Sequence, residues 1–239
     1  MIGELNIFDS PDELSKAAAD CWQQLSAEAI QARGRFTVAL SGGTTPKRLF
    51  TLLAQEPYRS SVDWKNCVIF FGDERWVAHD HAESNFRMAK ESLFDHITCP
   101  TKNIFPIPTD GVNAAQDAAR YQQQLQQQFN TNIIFDLVFL GLGADGHTAS
   151  LFPGTSALQE TSTPTCAVYV EKMQSWRITL TYPVINQARQ IIFLVEGEGK
   201  AEILHRIIDL GVDVPATHVS GNQNWFIDRH AASQLSDAR

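Results

Sequence analysis

Cysteine is scarce in this chain and scattered: Cys21, Cys67, Cys99 and Cys166 form no C-x-x-C pair. The spacing offers no disulfide framework, so the four read as reduced thiols serving as small buried hydrophobes. No apolar run reaches the roughly 20 residues that a bilayer-crossing helix needs. The opening Met1-Ile2-Gly3-Glu4-Leu5 lacks the basic lead and apolar core of a signal peptide, and a cytoplasmic protein is expected. Positive charge is also short. Against 27 aspartates and glutamates stand 19 lysines and arginines, and the net charge of −8 opposes broad attraction to nucleic acid or to anionic membranes. A small anion can still be held, because a few local cations suffice. Two signatures are missing as well: the G-x-x-x-x-G-K-[ST] loop for nucleoside triphosphates and the G-x-S-x-G elbow of serine hydrolases.

What is present is enough for a full core: 239 residues, 44% of them hydrophobic, fit one large α/β domain spanning 1–239, expected to act as a monomer. Leu14, Ala18, Cys21, Trp22, Leu25 and Ala29 recur at helical spacing, behind Ser10 as N-cap and Pro11 at the first helical position. A short strand at 5–8 precedes that helix. Apolar, β-branched runs follow at 36–40, 68–71, 135–140, 178–180 and 191–195, separated mostly by helical patterns such as 46–55 and 114–129. This alternation predicts a parallel sheet covered on both faces. A last strand at 224–227 leads through Asp228 to a short C-terminal helix. The glutamine-rich stretch at 122–128 reads as a solvated helix face.

In such sheets ligands collect beyond the carboxyl ends of the strands, and three strand ends are unusual here. After 36–40 comes Ser41-Gly42-Gly43-Thr44-Thr45-Pro46-Lys47, a glycine-rich turn into a helix with Thr45 placed to cap it. Free N–H groups and the positive end of the helix dipole suit a phosphate. After 68–71 comes Gly72-Asp73-Glu74-Arg75-Trp76-Val77, then Ser84-Asn85 at the start of the next helix. Charges pressed against a buried strand must be paired or used. Nearby His79 and His81 make two ligands without a third at recognisable spacing, too few for a zinc site, and no metal is expected.

The third strand end, Gly141-Leu142-Gly143-Ala144-Asp145-Gly146-His147, matches the dinucleotide pattern G-x-G-x-x-G. Context argues against that use. Asp145 would meet the pyrophosphate, and Pro153-Gly154 cuts short the helix that the fingerprint requires, so no cofactor is expected. The loop reads better as delivering Asp145 and His147 into the crevice, where a carboxylate orients an imidazole and raises its basicity. Further along, Arg177 opens the strand at 178–180, and Lys200 joins the strand at 191–195 to a helix. If those strands are neighbours, both cations can face Ser41, Gly42, Gly43, Thr44 and Thr45.

Together these segments resemble the 6-phosphogluconolactonase family, within the group that includes the glucosamine-6-phosphate deaminases and isomerases. The similarity runs through nearly the whole chain. Its most specific element is the run from Gly141 to Gly154. Ser41-Gly42-Gly43-Thr44-Thr45-Pro46, Gly72-Asp73-Glu74-Arg75-Trp76-Val77 with Ser84-Asn85, Arg177-Ile178-Thr179 and Gly197-Glu198-Gly199-Lys200-Ala201 join it. Thr44 stands where the family usually has serine and Ala78 where it often has proline, departures that touch loop shape only. The resemblance implies a three-layer, Rossmann-like α/β sandwich with a mainly parallel central sheet. It also implies hydrolysis of a phosphorylated sugar lactone. Ser41 to Thr45, Arg177 and Lys200 would grip the phosphate, while Lys47 and Arg75 are similar to cations that the family places in its active site. His147 matches the catalytic histidine, a general base toward water. Arg75 is then the candidate for stabilising the oxyanion, and either Asp73 or Asp145 orients the imidazole. The deaminase branch usually carries Asn-Glu-Pro-Gly after the Asp-Gly-His element, whereas Leu151-Phe152-Pro153-Gly154 offers no carboxylate.

Overall fold

The computed structural model describes residues 2–130 and 132–236. In chain order its elements are β1 (Glu4–Phe8), α1 (Pro11–Arg33), β2 (Phe36–Leu40), α2 (Thr44–Leu53), α3 (Tyr58–Ser61), β3 (Cys67–Phe71), β4 (Asp73–Arg75), α4 (Asn85–Ser92), α5 (Ala114–Phe129), β5 (Leu137–Leu140), β6 (Thr165–Val170), β7 (Ser175–Leu180), α6 (Tyr182–Ile185), β8 (Ile191–Val195), α7 (Ala201–Ile208) and β9 (Gln223–Asp228). Short 3-10 turns join several of them.

Helix α1 forms for legible reasons. Ser10 accepts from the Glu13 N–H, Pro11 opens the first turn, Asp12 and Glu13 face the positive dipole end, and Gly34 closes the helix at φ +75°. Its stripe of Leu14, Ala18, Trp22 and Ala29 is buried. Trp22 packs at 5.6 Å from Phe36, and its ring stacks 5.9 Å from Phe139 of β5. Burial of one large apolar side chain of this kind stabilises by roughly 1.5–3 kcal/mol. Strands β2, β3 and β8 are buried at every position, as strands covered on both faces must be.

Six strands form one sheet in the order β1-β9-β8-β5-β2-β3, with every pairing parallel. Helices flank it: α1 packs against β2 and β9, and α2 against β8. The remaining three strands make a second, antiparallel sheet in the order β4-β7-β6, covered by α5. The strand expected at 178–180 therefore is not a neighbour of β8, and it belongs to this second sheet. Gly72 ties the sheets together, donating to the Leu40 carbonyl of β2 at 2.8 Å and accepting from the Leu180 N–H of β7 at 2.7 Å.

Three further expectations change. Strand β5 begins at Leu137 rather than 135, after Asp136 has turned to accept from the N–H and hydroxyl of Thr37. Helix α2 begins at Thr44 with Gly43 as its N-cap, so Thr45 lies inside the first turn and caps nothing. After β9 the chain makes turns rather than a helix as far as Ser236. Asp228 is buried and accepts from the N–H groups of Gly197 and Ala231 instead. Among the described residues, no helix is long and apolar enough to cross a membrane. All four cysteines are free.

Candidate active site

Strand order reverses between β2 and β5: from β2 the chain moves outward to β3, then returns to β5 on the other side. Loops leaving the two strands diverge there and open a crevice at the carboxyl edge. A cleft of about 220 Å³ occupies it, lined by Ser41, Gly42, Gly43, Thr44, Thr45, Asp73, Arg75, His147, Arg177 and Lys200, with Asn85 and Gly141 to Gly143 beside them. A larger groove of about 820 Å³ between α1 and α2 shares only Thr44 with this list. It is the smaller space that gathers converging polar groups. Lys47 is not among them, since its exposed side chain lines the α1–α2 groove.

The anion-binding end is built by what α2 lacks. Gly43 takes φ +104°, open to glycine, and no side chain caps the helix. The first-turn N–H groups of Thr44 and Thr45 are therefore left for a ligand, with the helix dipole behind them. Arg177 of β7 is buried and stands in register with Arg75 of β4. The Nε atoms of both guanidiniums are buried without a hydrogen-bond partner. Burial, and then Arg75, lower the Arg177 pKa, against Asp73, Glu83 and Glu74. Guanidinium remains charged at neutral pH regardless, so the pair is short of an anion. Burial likewise lowers Lys200, opposed by Asp145.

His147 lies at the other wall. Its Nδ1 is 2.5 Å from Asp145 Oδ1, and its ring stacks on Phe152 at 3.9 Å between centroids. The side chain is 28% exposed, so solvent reaches the ring. A carboxylate on Nδ1 fixes the tautomer with the proton there and leaves the Nε2 lone pair free. Burial pushes the His147 pKa below its usual value, although the Asp145 hydrogen bond and charge oppose it. Burial pushes Asp145 up, but the hydrogen bonds from His147, its charge and that of Lys172 together outweigh burial and leave the carboxyl below its usual range. Gly143 makes room for this pair, because a Cβ there would sit 1.9 Å from Nδ1.

Asp73 does not touch the imidazole. Its Oδ2 accepts from the Ser150 hydroxyl at 2.6 Å, and its backbone carbonyl accepts from Asn85 Nδ2 at 2.9 Å. Ala149, at φ +46°, turns the loop just before Ser150. Glu74 points the other way: its carboxylate accepts from the N–H groups of Arg75, Asn85 and Phe86 and from the Ser84 hydroxyl. It thereby clamps the start of α4 and holds Asn85 against the cleft. Arg75 donates from Nη1 to the Glu83 carbonyl at 2.6 Å.

Sequence reasoning alone misses Asn85, Phe152, Met173 and Glu196 in the cleft lining and Ser150 against Asp73. Asn85 carried a signal, as the residue after the Ser84 cap. The others contribute through tertiary contacts that no spacing rule reveals. His79 Nε2 is engaged by the Ile107 carbonyl at 2.8 Å. Among the described residues, no group of three or more His, Cys, Asp and Glu side chains is placed to hold a metal ion.

Residues 9–227 match the family model described as glucosamine-6-phosphate isomerases/6-phosphogluconolactonase. The chain belongs to this family. It is 38% identical over 244 residues to a 6-phosphogluconolactonase of Synechocystis, covering 98% of this chain and 99% of the relative. A Nostoc 6-phosphogluconolactonase is 40% identical over 217 residues, 87% of this chain and 88% of the relative. Among solved structures, 6-phosphogluconolactonase from Trypanosoma cruzi superposes with a TM-score of 0.86 at 30% identity, covering 99% of this chain and 98% of that one.

Proposed function

We propose that this chain hydrolyses 6-phospho-D-glucono-1,5-lactone to 6-phospho-D-gluconate, the lactone-opening step of the oxidative pentose phosphate pathway. The observation that carries the reading is one cleft holding an uncapped helix N-terminus, two unsaturated guanidiniums and an imidazole whose Nδ1 is committed to Asp145. The phosphate rests on the turn from Ser41 to Thr45 with Arg177 and Lys200. His147 Nε2 takes a proton from water as the water oxygen bonds to C1 of the lactone. Arg75 and backbone N–H groups of the glycine loop stabilise the oxyanion. The bond from C1 to the ring oxygen then breaks, and the imidazolium returns its proton to that oxygen. Asp145 orients the ring throughout, while Asp73 sets the field around it. In sequence Phe152 stands where the deaminase branch usually has its glutamate, so this loop offers no carboxylate there, which supports hydrolysis over ring-opening deamination.

One continuous core supports a single working domain, and four free thiols suit the reducing cytoplasm. The decisive measurement is acid release from freshly made 6-phosphogluconolactone, beside unphosphorylated gluconolactone and an enzyme-free control. Selective acceleration of the phosphorylated lactone is expected. Equal rates with and without enzyme, or ammonia release from glucosamine 6-phosphate, would sink the proposal.

A further inference from the structure

One acidic group in the cleft is used neither by the hydrolytic chemistry nor by the phosphate grip. Glu196 directly follows β8 and lines the same cleft as Ser41, His147 and Lys200. Its side chain is only 12% exposed. Among the described residues its one charged partner is Arg48 of α2, whose Nε lies 3.4 Å from Oε2, and that oxygen is buried without a hydrogen bond. Arg48 is itself fixed by Asp12 of α1, at 2.8 Å from Nη1. Oε2 is thus closed to solvent against Arg48, and Oε1, to which none of the described residues donates, is the oxygen that a ligand in the cleft can reach.

We infer that Glu196 is a specificity-determining residue that accepts a hydrogen bond from a ring hydroxyl of the bound sugar lactone. The inference rests on the lactonase reading of the site. An ionised carboxylate can only accept. On the substrate, the phosphate oxygens, the lactone carbonyl and the ring oxygen are acceptors too, so only the hydroxyls at C2, C3 and C4 have a proton to offer. Arg48 holds the side chain in place, so that little rotamer freedom is lost on binding. A site built to bond a hydroxyl rejects the analogue lacking it, because its own polar group is left unpaired.

The test compares kcat/KM for 6-phosphogluconolactone and its 2-deoxy, 3-deoxy and 4-deoxy counterparts, in the natural protein and in Glu196→Gln and Glu196→Ala, each checked for an unchanged melting transition. The natural protein should disfavour one deoxy lactone by roughly 10- to 100-fold, the range of one charge-assisted hydrogen bond. Glu196→Ala should lose a similar factor on the parent lactone and almost nothing on that analogue, so that the preference collapses. Glu196→Gln, which keeps a carbonyl acceptor, should retain part of it. Equal losses on all four lactones, no loss on any, or an absence of discrimination in the natural protein would overturn the assignment. A natural protein inert toward the parent lactone would instead defeat the lactonase reading itself.

Discussion

His147 carries a carboxylate on one nitrogen and an aromatic ring against its face, and its surroundings pull its proton affinity in opposite directions. Burial lowers its pKa and Asp145 raises it, with burial the stronger. The base form is therefore already present at neutral pH, and it is lost only as pH falls through a value below the usual 6.5. The acid limb of kcat/KM should report that depressed value. Asp145→Asn removes an influence that raises the pKa, so the limb should move to still lower pH, while the plateau rate falls by roughly 10²-fold or more because the tautomer is no longer held. A limb that moves upward in this variant would show that Asp145 does not act on the base. His147→Asn should reduce kcat by roughly 10²–10⁴-fold with the urea midpoint little changed. Near-normal turnover in that folded variant would remove His147 from the chemistry.

Helix α4 depends on a carboxylate outside it. Glu74 is 1% exposed and satisfies three backbone N–H groups together with the Ser84 hydroxyl. Glu74→Ala strands those donors in a buried place, and each unsatisfied group costs about 1–3 kcal/mol. A loss of at least about 3 kcal/mol in urea unfolding is expected, with Glu74→Gln intermediate because its amide keeps one acceptor oxygen. A loss under 1 kcal/mol would mean that water replaces the clamp. The same short segment marks the limit of what could be read from the chain. Strands β2 and β8 were legible to the residue, since continuous apolar runs bounded by polar turns have few other readings. Strand β4 was not, because Asp73-Glu74-Arg75 has no apolar signature and pairs only through β7. Strand β6 is partly exposed along its length and sits in a sheet whose antiparallel sense no local pattern encodes. At the site, glycine-rich turns announced where the cleft would lie. The contact that assigns Asp145 rather than Asp73 to the imidazole depends on how the loop folds back, and Lys47 lies outside the cleft because α2 starts two residues earlier than its proline suggests.

The molecule as a whole is acidic, at −8, yet it presents cations in one place by joining two sheets. Arg177 comes from the antiparallel sheet, Lys200 from the loop that follows β8 of the parallel one, and Gly72 bonds to both sheets between them. Under the proposed function both cations hold one phosphate, so their effects must be coupled. Arg177→Gln and Lys200→Gln should each raise KM for the phosphorylated lactone by roughly 10- to 100-fold, leaving the slow turnover of unphosphorylated gluconolactone unchanged. The double variant should lose less than the product of the two factors, because a phosphate released by one cation is already poorly placed for the other. Factors that multiply in full would mean that the two sheets grip separate parts of the ligand. The anion site would then belong to one sheet and the turn from Ser41 to Thr45, rather than to the seam.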